Sequence, residues 1–151
     1  MQVTATDLVR GSLTVFDAKV QIVDAILASA AFPGILSPYE FNGTIYSDDG
    51  ILNHFPSDLL QGHCDKIIGV YVSPLQTISA AQLTSIKSVT TRIFNILSAN
   101  MNMHKFTICD WVIEPRELSK FSAFEISNAK LDTIFDIGYT AAKQSYRDTS
   151  V

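Results

Sequence analysis

The apolar positions of this chain switch between two periods. Residues 2–6 and 12–16 are rich in β-branched and aromatic side chains, with Asp7 and Gly11 in the loop between them, and both read as strands. Over residues 19–31 the pattern changes to a spacing of four, with Ile22 and Val23, Ile26 and Leu27, then Ala30 and Ala31 recurring on one side. That spacing predicts a helix, stopped by Pro33 and Gly34. Residues 41–46 read as a strand with a turn at Asn42 and Gly43. A polar loop follows over 47–53, and a short helix starts near Pro56. The apolar run 66–73, Lys-Ile-Ile-Gly-Val-Tyr-Val-Ser, predicts a buried, parallel strand. A long helix is expected over 80–100, with Ile86, Val89, Ile93, Phe94 and Leu97 on one side. Another strand is expected over 106–113, closed by Glu114 and Pro115. The last helix runs over 127–146, with Ser127 as N-cap and Ile126 and Leu131 spaced for a hydrophobic staple. Strands alternating with helices predict an α/β fold with a mostly parallel sheet. There is no repeat, low-complexity tract or linker in this pattern.

Composition narrows the class. At 151 residues the chain has the size of one domain and can bury a real core, and 47% hydrophobic with 17% charged residues argues against disorder. The formal net charge of −4 offers no basic patch, so nucleic acid is excluded as a partner, and an anionic membrane surface gains no support. The longest apolar stretch, residues 22–36, is broken by Asp24, Ser29 and Pro33 and is too short to span a bilayer. No basic region followed by an apolar block opens the chain, so no signal peptide is expected and the location reads as cytoplasmic. Cys64 and Cys109 are too few for a disulfide framework and read as reduced thiols. His54, His63 and His104 have no metal spacing, and Cys64 beside His63 with a distant Cys109 makes no zinc pattern, so neither metal nor cofactor is expected.

The informative stretch is 28–56. It opens with Ala28-Ser29-Ala30-Ala31-Phe32-Pro33-Gly34, passes Pro38 and Asn42-Gly43, and reaches Tyr46-Ser47-Asp48-Asp49-Gly50-Ile51-Leu52-Asn53-His54-Phe55-Pro56. A helix of small residues leads into a strand that ends in a sharp acidic turn. Loops after strand ends are where α/β sheets place their active residues. A carboxylate held on such a turn can serve as a base, an orienting group or a ligand.

In order and spacing this block resembles the patatin-like phospholipases, which have an alanine-serine helix end with a proline, then an aspartate-glycine-glycine turn, then asparagines and a proline. Ala5-Thr6-Asp7-Leu8 with Gly11 looks like the family's preceding strand. Gly138-Tyr139 is similar to its C-terminal helix. The resemblance implies that residues 1–151 are the C-terminal portion of a patatin-like domain, part of a three-layer α/β/α sandwich, without the N-terminal nucleophile portion. In the family, asparagine follows the catalytic aspartate at the fifth position and proline at the eighth. Counting from Asp48 reaches Asn53 and Pro56, whereas counting from Asp49 reaches neither. Asp48 is therefore the implied catalytic residue, with Asp49, Gly50 and Asn53 supporting the turn. Asp49 replaces the family's first glycine. Aspartate takes left-handed backbone angles less easily than glycine, and a second carboxylate raises the pKa of one of the pair. Both points imply reduced activity.

The resemblance further implies ester hydrolysis of lipids by a serine-aspartate dyad, with Asp48 as general base. The serine belongs on a Gly-x-Ser-x-Gly elbow, but no two glycines here are four residues apart, and no glycine-rich loop supplies oxyanion amides. The reading is an aspartate-bearing half, inactive without a serine half. Its expected partners are a lipid acyl ester when complemented, a second copy or the serine-half polypeptide, and a membrane surface contacted peripherally. The alternative is a non-catalytic binding module that keeps the fold remnant. A free-standing hydrolase would need Ser29, which lies in an alanine-rich helix and reads as a packing or helix-end residue. His54 stands where the family often has asparagine and reads as a loop residue at the mouth of the site. Met101 and Met103, near Phe106, read as core or helix-end residues with a lipid-facing surface as the alternative. Trp111 reads as a packing residue.

Overall fold

The computed structural model describes residues 1–121 and 127–149, and its mixture of helices and sheets is α/β. The chain divides into two units. One comprises Met1–His54 with Ser79–Asn102, the other Phe55–Ile78 with Met103–Val151.

The first unit is built from two hairpins. β1 (Val3–Asp7) pairs antiparallel with β2 (Ser12–Phe16). Asp7 organises the turn: its Oδ1 accepts from the amides of Val9 and Arg10, each at 2.9 Å, and its Oδ2 pairs with the Arg10 guanidinium at 2.8 Å. The second hairpin joins β3 (Tyr39–Phe41) to β4 (Thr44–Ser47). Asn42 and Gly43 form its turn with φ of 50° and 73°. Two successive positive φ angles match the twist of the flanking strands, which is why Asn-Gly is the favoured pair there. The expected strand over 41–46 is thus two strands with the turn inside it. The strand order is β2-β1-β4-β3, all antiparallel. Two-residue and four-residue links can join only antiparallel neighbours, so the mostly parallel sheet expected from alternating helices and strands does not form here.

Helix α1 (Ile22–Ser29) lies against this sheet through its small residues. Ala25 and Ala28 are buried in a core with Ala5, Phe16 and Tyr46, where the Phe16 and Tyr46 rings meet edge to face at 5.3 Å. The larger residues whose spacing marks the helix face outward: Ile22, Val23, Ile26 and Leu27 are 47–58% exposed. The expected long helix over 80–100 is also divided. Ser79 and Gln82 close a reciprocal capping box around a 3-10 turn, Ala80–Gln82. α2 (Ile86–Asn102) then starts afresh, because Ser85 Oγ accepts from the Ser88 amide and Ser88 Oγ from the Ser85 amide. Two capping signals within six residues define two starts. Phe94 packs on Phe32 at 5.3 Å, while Ile86, Ile93 and Leu97 of the same expected face are exposed.

In the second unit β5 (Ile68–Val70) and β6 (Trp111–Ile113) run parallel, as expected for the 66–73 run. The strand is buried on one face only: Ile67 and Tyr71 are inside, whereas Ile68, Val70 and Val72 are more than half exposed. A Cβ on Gly69 would collide with the Phe55 ring and stand 2.9 Å from Cys109 Sγ, so the glycine is there for space. The strand expected over 106–113 shortens to three residues. Met103–Ile108 instead coils into a 3-10 helix that brings the Phe106 ring to Phe55 at 4.8 Å and to Tyr71 at 5.0 Å. Lys105, next to it, is buried and reaches Asp58 at 3.0 Å. Met101 lies at the end of α2, the helix-end alternative, and is 45% exposed rather than core, and the Met103 side chain lies outside the described residues. α3 (Asn128–Thr149) begins where the Ser127 carbonyl accepts from the amides of Lys130 and Leu131, the N-cap position expected. Ile126, and with it the proposed staple, lies outside the described residues. Trp111 packs as expected, with its indole on Tyr146 at 5.8 Å and Nε1 donating to Ser145 Oγ. Among the described residues no helix is long and apolar enough to cross a membrane.

Candidate active site

The acidic turn grows directly out of β4. The last residue of that strand, Ser47, donates its hydroxyl to the Ala31 carbonyl at 2.7 Å, and the Asp48 amide donates to the same carbonyl at 3.0 Å. The end of α1 thus holds the exit of β4. β1 holds the turn from the other side. Thr6 Oγ1 donates to the Asp48 carbonyl at 2.9 Å, and Thr4 Oγ1 donates to Asp49 Oδ2. Thr4 and Thr6 are two apart on a strand and so share one face. A third clamp comes from α2, where the buried Ser98 donates its hydroxyl to the Gly50 carbonyl at 2.9 Å.

Held this way, Asp48 is the N-cap of a 3-10 turn, Asp49–Ile51, and its Oδ1 accepts from the Gly50 amide at 2.8 Å. The turn closes with the Leu52 and Asn53 amides donating to the Asp49 carbonyl at 2.9 and 2.8 Å. Asn53 is buried. Gly50 is required for space: a Cβ there would stand 2.7 Å from Asp48 Oδ1 and 2.9 Å from His54 Nδ1. Asp49, by contrast, does not need to be glycine. Among the described residues Asn42 is the only non-glycine residue at positive φ, so the left-handed angle anticipated for position 49 is not used. Asp49 instead gains a bond to Thr4 that glycine cannot make.

Partial burial pushes both carboxyls above the ordinary aspartate range. For Asp48 the Gly50 amide and the nearby His54 work against that rise. For Asp49 the Thr4 hydroxyl opposes it, the charge of Asp48 adds to it, and His54 again opposes it. The consequence for stability has a definite sign. An acid whose folded pKa is raised binds more protons in the folded state than in the unfolded, so it costs stability as pH rises. Unfolding midpoints should therefore fall as pH climbs from the normal aspartate range through the raised values. Asp48→Asn and Asp49→Asn should each flatten that slope, as measured by urea unfolding at a series of pH values. A slope that both variants leave unchanged would show that the carboxyls are not strained by burial.

The four sequence-assigned residues, Asp48, Asp49, Gly50 and Asn53, thus come together on one turn. Ser29 is the last residue of α1 and sits on no strand-to-helix elbow. His63 and Cys64 are exposed in the second unit, and no group of three His, Cys, Asp or Glu among the described residues could hold a metal. The sequence pattern assigns no role to Thr4, Thr6, Ser47 or Ser98. The Thr4-Ala5-Thr6 alternation was the available signal for the first two. Ser98 bonds a carbonyl 48 residues away, and no local pattern announces that.

No curated protein matches the chain. Residues 3–60, from the start of β1 through the acidic turn to Leu60, match the family model of the Patatin-like phospholipases, and the segment that builds this site is therefore similar to that family.

Proposed function

We propose that the chain is the aspartate-bearing, C-terminal half of a patatin-like lipid acyl hydrolase, with Asp48 as the base of a serine-aspartate dyad. The observation that carries the proposal is the clamped turn. Within the family-matched segment, Asp48 is half-buried at a strand end and fixed by β1, the end of α1 and its own turn, where its Oδ1 accepts from the Gly50 amide. In the proposed reaction a serine Oγ attacks the acyl carbonyl of a lipid ester as its proton passes to Asp48. The proton then leaves with the alcohol, giving an acyl-serine. Asp48 next takes a proton from water as that water attacks the acyl-serine, and returns it to the serine as the fatty acid departs. Asn53 and Gly50 keep the turn in shape, and Asp49 anchors it to Thr4.

The nucleophile has to come from a Gly-x-Ser-x-Gly segment that these 151 residues do not contain. The test is complementation. Alone, the chain should hydrolyse p-nitrophenyl butyrate no faster than a control protein. Mixed or co-expressed with the serine half of a patatin-like hydrolase, it should show turnover that neither half gives separately. Turnover by the chain alone that vanishes on Ser29→Ala would make it a free-standing enzyme. A mixed complex that forms but stays inactive would favour a non-catalytic binding module.

A further inference from the structure

Helix α3 carries apolar residues on two sides, one against its own unit and one outside. Ile134, Ile137, Ala141 and Ser145 are half-buried on the inner side, where the Ser145 hydroxyl donates to the Val112 carbonyl at 3.3 Å. About a third of a turn away, Leu131, Phe135, Tyr139 and Tyr146 form a stripe along the outside. Exposed helix faces normally carry polar residues. Here Phe135 and Tyr139 are 69% and 60% exposed, and their rings stack on each other at 6.2 Å. Beside the stripe, within an arc of about 60°, lie four exposed charges: Asp132, Asp136, Lys143 and Arg147. Lys143 lies over the Tyr139 ring at 5.9 Å, along the edge of the stripe.

The order of these charges disfavours a helix that stands alone. The two acids are four residues apart and so are the two bases, so each charge has a like-charged neighbour, which destabilises an isolated helix. The helix dipole accounts for Arg147 in the last turn, but its influence fades beyond the end turns and does not reach Asp136 or Lys143. Among the described residues none of the four joins an ion pair within the chain. Against a second α3 running the other way, the same order is self-complementary. Asp132 and Arg147 are equidistant from the point midway between Tyr139 and Thr140, and Asp136 and Lys143 are equidistant from that same point. A two-fold axis there sets Asp132 of each copy level with Arg147 of the other, and Asp136 level with Lys143. Gly138 lies next to that axis at the edge of the stripe. A Cβ there would touch nothing, so no neighbour among the described residues requires this mid-helix glycine, which weakens the helix. It opens room for an aromatic ring of the second copy. We propose that the α3 stripe is a dimer seam, covered by the α3 of a second copy packed antiparallel about this axis.

A charge swap read by sedimentation velocity on the full chain tests the seam. Asp132→Lys with Asp136→Lys makes the flank entirely basic, and Lys143→Asp with Arg147→Asp makes it entirely acidic. In low salt each double variant should associate about tenfold more weakly than the wild type, or worse, because every pair across the seam becomes repulsive. An equimolar mixture of the two should recover the wild-type affinity as a heterodimer, because every pair is then opposite in sign. Contacts through other faces are common to all the samples, so the difference between them reads α3 alone. Double variants that associate as tightly as the wild type, or a mixture as weak as its components, would overturn the proposal and leave the stripe to a different chain. Should a double variant fail to fold, carbodiimide coupling of wild-type chains decides. In a mixture of isotope-labelled and unlabelled protein, Asp136 of one copy should become joined to Lys143 of the other, and the absence of that mixed product would overturn the seam.

Discussion

Replacing Asp48 by asparagine in the complemented enzyme should abolish turnover, a loss on the order of 10⁴-fold or more. Asparagine keeps the shape of the turn, because its side-chain carbonyl can still accept from the Gly50 amide that now bonds Oδ1 at 2.8 Å. What it removes is the ability to take a proton. In a dyad without histidine in the proton path, no second base covers the loss, so the effect should approach that of deleting the nucleophile. Asp49→Gly provides the contrast. It removes the carboxylate whose like charge interacts with that of Asp48, so turnover should be preserved or raised. It also removes the acceptor for Thr4 Oγ1 and frees the backbone. The same variant should therefore lose about 1–2 kcal/mol of stability. Activity and stability are expected to move in opposite directions in one protein, and urea unfolding beside the ester assay reads both. The reverse pattern, with Asp49 indispensable and Asp48 replaceable, would place the base one residue later and refute the assignment from Asn53 and Pro56.

The second large effect concerns assembly. In water the chain should not behave as a monomer. Its surface carries exposed apolar groups: Ile22, Val23, Ile26 and Leu27 along α1, Ile86, Ile93 and Leu97 along α2, Ile68 and Val70 on β5, and Phe135 and Tyr139, stacked at 6.2 Å, on α3. Contiguous apolar faces of this kind seek a partner, and strand edges pair with other chains. Light scattering at micromolar concentration should report a dimer or larger species, and adding a serine half should convert it into a one-to-one complex. The interface should be of the obligate kind, about 2,000 Å² or more in total. A sharp monomer peak with cooperative unfolding and no binding of an apolar dye would refute this. It would also favour the binding-module reading.

The α/β class, the acidic turn after a strand and the Asn42-Gly43 turn were legible in the sequence, because turn chemistry and motif spacing are local. The assignment of Asp48 by counting to Asn53 and Pro56 is part of the proposal above. The sheet was misjudged where local and global signals disagree. Helices alternating with strands suggested parallel pairing, yet the links inside the first unit are too short for anything but hairpins. α1 shows a different failure. Its spacing of four identified the helix correctly but not its buried side, since close approach to the sheet favours Ala25 and Ala28 over the larger residues. Phe106 was assigned to a strand on propensity, but its contacts with Phe55 and Tyr71 outweigh that preference.

The seam between the two hairpins bears on how the site comes into being. Each hairpin closes a loop of only a few residues and can form early and independently. Their ladder is short: two residue pairs, Thr6 with Ser47 and Asp7 with Tyr46, extended by the Leu8 amide donating to the Ile45 carbonyl at 2.9 Å. Both pairs adjoin Asp48. Bringing together segments so far apart in sequence is the slow, entropically costly event in folding, and here that event also places the carboxylate. The proposed base is therefore among the last groups to reach its position and among the first to leave it. Its amides should exchange with solvent by opening of the seam rather than by unfolding of either hairpin.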